Sequence, residues 1–392
     1  PFVKKEALDA LRLGLNVMIF SDNVPLDDEL EIKLFAQASG LLVMGPDCGT
    51  AIISGIGLGF ANRVSSGPVG IVGASGTGIQ EVSCLLERAG VGVSHCIVTG
   101  SNDVKAQIGG ISFLAAIDLL EKDPQTTIIV LLAKPPDTQV EAILKERIAR
   151  CQKPVVVNFL GDEGNPKQQG NLHFVPTLED AARTVLHMLN TQDTLNDDFE
   201  PAIAEHRAHF APEQKYIRGI FTGGTLAVEA GLILNRVGGL RVATNAKAKG
   251  LSPLTDPEKS EGHTCVDLGD DIYTAGKPHP MLDPFMRRNR ILNEAKDPET
   301  AVLLLDFVLG MGVHPEPVEA IRGALLEARE LATGAGRYLV IATSVCGVDT
   351  DPQSRSRQVA LLNEMGCLVF ESNAQAARFA GQLVSALSKQ RG

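Results

Sequence analysis

Residues 69–81 have the sequence Val-Gly-Ile-Val-Gly-Ala-Ser-Gly-Thr-Gly-Ile-Gln-Glu, and this stretch decides the fold. An apolar strand runs into a loop of small residues, after which Ile79, Val82 and Leu86 recur at helical spacing. A helix that starts at such a loop has unpaired backbone N–H groups and the positive end of its dipole there. The spacing matches neither the Rossmann fingerprint nor a P-loop. The stretch therefore predicts either a phosphate-binding loop or a tight turn that binds nothing.

The composition limits the class of protein. The chain has 392 residues, of which 44% are hydrophobic and 21% are charged, as expected for a globular protein of two or three domains. A formal net charge of −11 argues against nucleic acid or a membrane surface as the partner. Seven scattered cysteines, mostly in apolar runs, predict reduced thiols and a cytoplasmic location. No His/Cys cluster has metal-ligand spacing, so we expect no metal site.

Predicted strands and helices alternate along the chain. The continuous apolar run at residues 128–133 indicates a parallel sheet that is covered on both faces. Residues 1–66 are predicted to form the back half of a Rossmann-like domain, which suggests a fragment or truncated version of something longer. The polar, acidic stretch at residues 193–215 is predicted to be a linker.

The second half of the chain repeats the first. Residues 217–226 repeat the opening strand and glycine loop, with Ile71 paired with Ile220, and residues 294–300 repeat residues 120–126. Matching landmarks in the same order predict two related α/β domains, at residues 67–192 and 216–392. Two related domains commonly face each other across a shared site.

The motifs resemble a known family. Met44-Gly45-Pro46-Asp47-Cys48 and Ser75-Gly76-Thr77 resemble the α subunit of succinyl-CoA synthetase, and residues 306–312 resemble the CoA-ligase domain of its β subunit. Such a fusion without an ATP-grasp module is similar to the FdrA family of acyl-CoA synthetase-like proteins, as is the stretch at residues 276–281. The resemblance implies two flavodoxin-like parallel-sheet α/β domains, preceded by a partial Rossmann-like domain of the CoA-binding type.

The resemblance also implies binding residues. Ser75, Gly76 and Thr77 in one loop, with Gly310 and Gly312 in another, would bind CoA, a phosphate or an acyl phosphate, each at a helix N-terminus.

The chain departs from the family at the phosphohistidine. The family carries this residue in a Gly-His-Ala-Gly loop, where residues 161–166 here are Gly-Asp-Glu-Gly-Asn-Pro, and Lys134 replaces its supporting carboxylate. His173 lies nearby, but it is predicted to head a strand. We therefore expect no phosphohistidine in this chain.

Candidate catalytic residues lie in the second half. His279 has a side chain that can act as general acid or base near neutral pH, and Asp270 and Asp271 add charge nearby. The alternative is that one aspartate caps a helix and His279 makes a loop hydrogen bond. Asp306 ends an apolar strand and is either catalytic or a turn former. Cys48 has no evident histidine partner, which disfavours it as a nucleophile.

Three functions remain open from the sequence. The first is an acyl-CoA synthetase-like ligase that needs partner subunits or a homo-oligomer and acts on a small anionic substrate. The second is a subunit of an oxamate carbamoyltransferase, which would use carbamoyl phosphate in allantoin degradation. The third is a non-catalytic scaffold that binds an anion.

Overall fold

The computed structural model describes residues 2–161, 168–246 and 248–391, with side chains up to Ser388. The chain divides into two compact units, Pro1–Asp193 and Thr194–Gly392. Each unit is described by itself.

The first unit contains alternating helices and strands. Its helices are α1 (Val3–Arg12), α2 (Leu26–Ala38), α3 (Gly76–Arg88), α4 (Ile111–Lys122), α5 (Thr138–Ile148) and α6 (Leu178–Met188). Its strands are β1 (Val17–Met18), β2 (Val43–Met44), β3 (Thr50–Ile53), β4 (Ile56–Gly59), β5 (Ser66–Gly73), β6 (Val93–Val98), β7 (Ile128–Ala133), β8 (Val155–Phe159), β9 (Gln168–Gln169) and β10 (Leu172–Phe174).

The main sheet of the first unit has the order β4-β3-β6-β5-β7-β8-β10-β9 among the described residues. Its central strands β6-β5-β7-β8-β10 are parallel. In chain order they read 2-1-3-4-5, which is the flavodoxin-like arrangement. Every residue of β7 and β8 is buried, as a parallel sheet covered by helices requires.

The N-terminal part differs from the prediction in one respect. Strands β1 and β2 form a separate two-stranded parallel sheet, packed with α1 and α2 around a small apolar core. Residues 50–59, within the predicted Rossmann-like part, instead form the antiparallel hairpin β3–β4, which joins the main sheet through β6. Its strands place residues 50–59 with the main sheet, because their backbone groups pair there and not with β1 or β2.

The second unit follows the same plan. Its helices are α7 (Glu200–Arg207), α8 (Gly224–Gly238), α9 (Asp271–Thr274), α10 (Phe285–Lys296), a 3-10 helix (Glu319–Ile321), α11 (Arg322–Gly334), α12 (Arg355–Glu364) and α13 (Asn373–Arg391). Its strands are β11 (Tyr216–Phe221), β12 (Val242–Thr244), β13 (Ser252–Pro253), β14 (His263–Asp267), β15 (Thr300–Val308), β16 (Val340–Cys346) and β17 (Leu368–Phe370).

The described strands of the second unit form one parallel sheet, β13-β12-β14-β11-β15-β16-β17. The strands β14-β11-β15-β16-β17 repeat the order β6-β5-β7-β8-β10 of the first unit. The predicted fold class, including the internal duplication, is confirmed.

The stretch predicted to be a linker contains α7. Phe199 and Ile203 at this helix are buried, and Phe199 packs edge-to-face against Phe379 of α13. Part of the stretch therefore belongs to the packed second unit. The four-part division at residues 1–66, 67–192, 193–215 and 216–392 stays a prediction.

Candidate functional site

Each unit starts a long helix where its strand order reverses. Helix α3 follows β5, which lies between β6 and β7, and α8 follows β11, which lies between β14 and β15. Open α/β sheets bind ligands at this switch point. We call residues 74–77 the first loop and the corresponding residues 222–225 the second loop. The N-cap residues, Ser75 and Gly223, share an extended backbone, with ψ angles of 131° and 113°.

The strand register corrects the predicted pairing of the two halves. Ile71 lies opposite Cys96, and Gly219 lies opposite Cys265. Ile71 and Gly219 also precede the start of their helices by the same number of residues. Ile71 therefore corresponds to Gly219, and its predicted pairing with Ile220 is wrong by one residue. Because Gly219 has no side chain, the apolar pattern paired Ile71 with the next residue, Ile220.

The first loop has an apolar residue beneath it. Ser75, Gly76 and Thr77 are half-buried, and the side chain of Ser75 does not cap α3. A Cβ added to Gly76 would lie 3.3 Å from Thr50 Oγ1. On the adjacent strand, Gly73 pairs with the buried Leu132. Ala74 N donates to Leu132 O at 3.0 Å, so β7 provides a backbone acceptor here and, being entirely apolar, no charged side chain.

The second loop has a carboxylate at the corresponding place. Asp306 of β15 is fully buried and accepts hydrogen bonds from Thr222 N at 2.8 Å and Gly223 N at 2.9 Å. Thr222 Oγ1 donates to the same carboxylate at 3.1 Å. Asp306 therefore accepts the backbone N–H groups of the two residues that precede α8.

Arg287 of α10 neutralises this carboxylate. Its Nη2 lies 3.1 Å from Asp306 Oδ1 and donates to Ile220 O at 3.2 Å. Burial raises the pKa of Asp306, an effect opposed by Arg287 and the N–H groups of the second loop. Burial also lowers the pKa of Arg287. The pair is stable because each buried charge has a hydrogen-bonded partner.

His279 lies beside an aspartate that the sequence had not indicated. Its Nδ1 accepts a hydrogen bond from Met281 N at 3.2 Å. A Cβ added to Gly269 would lie 2.6 Å from His279 Nε2 and 3.1 Å from Asp267 Oδ1. A Cβ added to Gly224 would lie 2.3 Å from Asp267 Oδ2. Asp267, at the end of β14, thus lies near both His279 and the start of α8.

The two predicted catalytic aspartates lie at helix α9. Asp270 is its N-cap and accepts a hydrogen bond from Ile272 N at 3.1 Å. Asp271 is the first helical residue and is exposed. The observed contact of Asp270 is a helix cap, which was the alternative to a catalytic role in the sequence analysis. The sequence signal for Asp267 was its position at the carboxyl end of the strand next to β11.

The loop with Gly310 and Gly312 does not lead directly into a helix, contrary to expectation. Both glycines have positive φ angles, 141° and 73°, and the next helical residue is Glu319. Buried Gln353 holds the loop, accepting from Gly310 N at 3.2 Å and donating to Gly310 O at 3.0 Å. The helix that starts at the switch point of this unit is α8, which follows β11 and begins at Gly224.

Two other candidates are placed unfavourably for nucleophilic chemistry. Cys48 is fully buried, and burial raises the pKa of its thiol to about 12. His173 lies within β10, as expected, paired with Val156. Burial, with a contribution from His187, lowers the pKa of His173.

Some predictions fall outside the described residues or concern other classes of site. The loop expected to replace the phosphohistidine, residues 161–166, lies outside them after Gly161. In the part of the chain that the structure describes, no group of three or more His, Cys, Asp or Glu is placed to hold a metal ion. Of the helices described, none has both the length and the apolar character needed to cross a membrane.

Comparison with known families defines the class. A family model for the CoA binding domain matches residues 64–161, and a model for CoA-ligase matches residues 220–383. The chain therefore carries a CoA-binding domain followed by a CoA-ligase domain. It is 43% identical to the protein YahF of Escherichia coli strain K12 over 389 residues, which cover 98% of the chain and 75% of YahF. The chain belongs to the FdrA-type family that includes YahF, which confirms the resemblance.

Other similar proteins include a subunit of a CoA ligase and a solved structure. It is 30% identical to the alpha subunit of ADP-forming succinate–CoA ligase of Methanothermobacter thermautotrophicus over 179 residues, or 44% of this chain and 58% of that one. The chain thus spans less than two thirds of that relative. A dinucleotide-forming acetyl-coenzyme A synthetase of Ca. Korarchaeum cryptofilum, solved with phosphate and ADP, aligns with 100% of the chain and 83% of its own length. Its identity to the chain is 14%, and its TM-score is 0.34.

Proposed function

We propose that the chain is the acyl-CoA synthetase-like part of a ligase that uses an acyl phosphate or a CoA thioester. The observation that carries this proposal is the first loop, which lies in the CoA-binding domain at the start of α3 and has Leu132 where the second loop has Asp306. Its N–H groups suit a phosphate because the adjacent strand supplies no competing carboxylate.

The candidate residues of each unit suggest separate roles. Ser75, Gly76 and Thr77 bind the phosphate and stabilise negative charge that develops on it. His279 acts as general acid or base, and Asp267 orients its imidazole in place of the expected Asp270 and Asp271. CoA, when bound, supplies the thiol that accepts the acyl group.

Partner subunits are part of this proposal. The succinate–CoA ligase and malate–CoA ligase relatives are both named as alpha subunits. Residues 161–166 contain no histidine, so the phosphoryl group is not carried there. An acyl phosphate that arrives preformed, or a partner that makes it, removes the need for that histidine.

A second candidate follows from the same sequence difference. Carbamoyl phosphate is an acyl phosphate, and a carbamoyltransferase needs a phosphate site without a phosphohistidine. Phosphate release from carbamoyl phosphate and oxamate, measured with candidate partner subunits, tests this function. Turnover would favour it over the ligase, and no turnover with any partner would exclude it.

Calorimetric titration of the purified chain with CoA and with acetyl phosphate tests the ligase proposal. We expect acetyl phosphate to bind at least about a hundredfold more weakly to the S75A/T77A variant, because two hydroxyl donors to a charged group are lost. S39A, at an exposed serine after α2, is the control. No binding of either compound to the wild-type chain contradicts the proposal. If alanine at Ser75, Thr77 and His279 leaves the activity of a reconstituted complex intact, a non-catalytic scaffold is favoured.

A further inference from the structure

A small cavity in the second unit lies under the loop at residues 279–284. Its volume is about 20 Å³, which accommodates one group the size of a water molecule. The walls are mainly apolar and include Met281, Phe307, Val313 and three prolines. Arg287, Thr222 and His314 are the polar lining residues. The loop that closes the cavity contains the Pro280-Met281 pair of the family-specific stretch.

Arg287 brings an unused donor to this cavity. The residue is 4% exposed, and its guanidinium lies 4.8 Å from the ring centre of Phe307. Its Nη2 is engaged by Asp306 and Ile220, but its buried Nε has no hydrogen-bond partner among the described residues. Arginine nitrogens only donate hydrogen bonds. A buried donor left without an acceptor costs about 1–3 kcal/mol, so this position favours a ligand that accepts.

His314 adds a second donor. Its Nδ1 accepts a hydrogen bond from Glu316 N at 3.1 Å, which places the proton of the neutral ring on Nε2. The backbone N of His314 donates to Met281 O at 2.9 Å and so ties the two loops around the cavity together. The Thr222 hydroxyl donates to Asp306. Two of the residues that line the cavity thus carry donors, Arg287 Nε and His314 Nε2.

The charge balance selects between kinds of acceptor. Asp306 already neutralises Arg287, so a carboxylate or phosphate in the cavity would be a buried charge without a partner, which is costly. A neutral carbonyl oxygen accepts the same hydrogen bonds without adding charge.

We propose that the cavity binds the carbonyl oxygen of a small acyl or amide group, with Arg287 Nε as its donor. Only the oxygen enters, because the space holds one water-sized group, and the rest of the ligand lies outside the cavity. This inference rests on the proposed function only in identifying the group as part of an acyl substrate. Arg287 is then a residue that selects a neutral acyl end over an anionic one.

Titration with acetamide and with acetate tests this site. The full chain, labelled with ¹³C at the methionine methyl groups, reports binding through the Met281 signal, assigned with M281L. We expect acetamide to shift this signal saturably and acetate to do so at least tenfold more weakly. R287K retains the positive charge beside Asp306 but lacks Nε, so acetamide binding should weaken at least tenfold. R288K, at an exposed arginine of the same helix, should bind as the wild type does.

Several results would overturn the proposal. An equal or stronger response to acetate would indicate an anion site, and no response to acetamide would indicate a cavity that holds only water. If R287K does not fold, V313F decides, because a larger side chain fills the cavity and leaves the Arg287–Asp306 pair intact. Unchanged acetamide binding in V313F contradicts the proposal, and its loss supports it. Failure to bind CoA together with an intact acetamide response would overturn the ligase function alone.

Discussion

The first and second loops start equivalent helices in two copies of one fold, yet they meet different residues on the neighbouring strand. Beneath the first loop lies Leu132, and at the corresponding place in the second unit lies Asp306, paired with Arg287. The N–H groups at a helix start need an acceptor from the protein, water or a ligand. Ala74 N donates to the backbone oxygen of Leu132 at 3.0 Å, whereas Thr222 N and Gly223 N donate to the side chain of Asp306. The two loops therefore differ in the kind of acceptor that the neighbouring strand supplies.

Removal of the Asp306 carboxylate should have the largest effect on stability. D306A leaves Arg287 as a buried charge and Thr222 N without its acceptor, which should lower the free energy of unfolding of the second unit by about 3–5 kcal/mol. Tyrosine fluorescence during urea denaturation measures this unit specifically, because the chain has no Trp and its three Tyr all lie beyond residue 194. E327Q, at an exposed glutamate of α11, is the control. A change below about 1 kcal/mol in D306A would mean that Asp306 does not stabilise the second loop.

The next largest effect should be a loss of stability of the second unit at acid pH. Burial, with a contribution from Arg218, lowers the pKa of His263 to about 4, and its Nδ1 accepts a hydrogen bond from Ile217 N at 3.2 Å. The unfolded chain therefore takes up this proton first as the pH falls. Stability from this group is complete above about pH 6.5 and is lost by about pH 4, by roughly 3 kcal/mol.

The same tyrosine signal measures this loss against pH. H263Q should flatten the fall in stability of the second unit between pH 6.5 and 4. H187Q, at an exposed histidine of the first unit, should keep it. An equally steep fall in H263Q would assign the acid sensitivity to other groups.

Substitution of glycine by alanine at the start of α3 and of α8 gives two matched variants, and we expect smaller losses of stability from them. In G224A the new Cβ would lie 2.3 Å from Asp267 Oδ2, whereas in G76A it would lie 3.3 Å from Thr50 Oγ1. We expect a loss of about 2 kcal/mol for G224A and less than about 1 kcal/mol for G76A, because Ala also favours a helix over Gly. Calorimetric unfolding of both variants measures the difference. Equal losses would show that the two helix starts are packed alike.

The architecture was accessible from sequence because alternating apolar runs and helical periods are local signals. The hairpin β3–β4 was missed, since its glycines resemble a loop and only pairing with β6 makes it part of the sheet. The loop at Gly310 was expected at a helix start, but the sequence carries no signal that Gln353 holds it.

The buried charges of the candidate site were harder to predict. Asp306 could be recognised as the end of an apolar strand, but its acceptance of N–H groups from Thr222 and Gly223 depends on tertiary structure. Arg287 stands in a run of charged residues that resembles an exposed helix face. Its burial follows from packing against β15, and periodicity alone does not reveal such contacts.

Titration of the ¹⁵N-labelled chain with inorganic phosphate tests the difference between the loops most directly. The backbone amide signals of Gly76 and Gly224 report the two helix starts in the same sample. If the first loop is an open anion site and Asp306 fills the second, Gly76 and Thr77 shift saturably while Gly224 does not. A saturable shift of Gly224, or no shift of Gly76, would contradict this assignment.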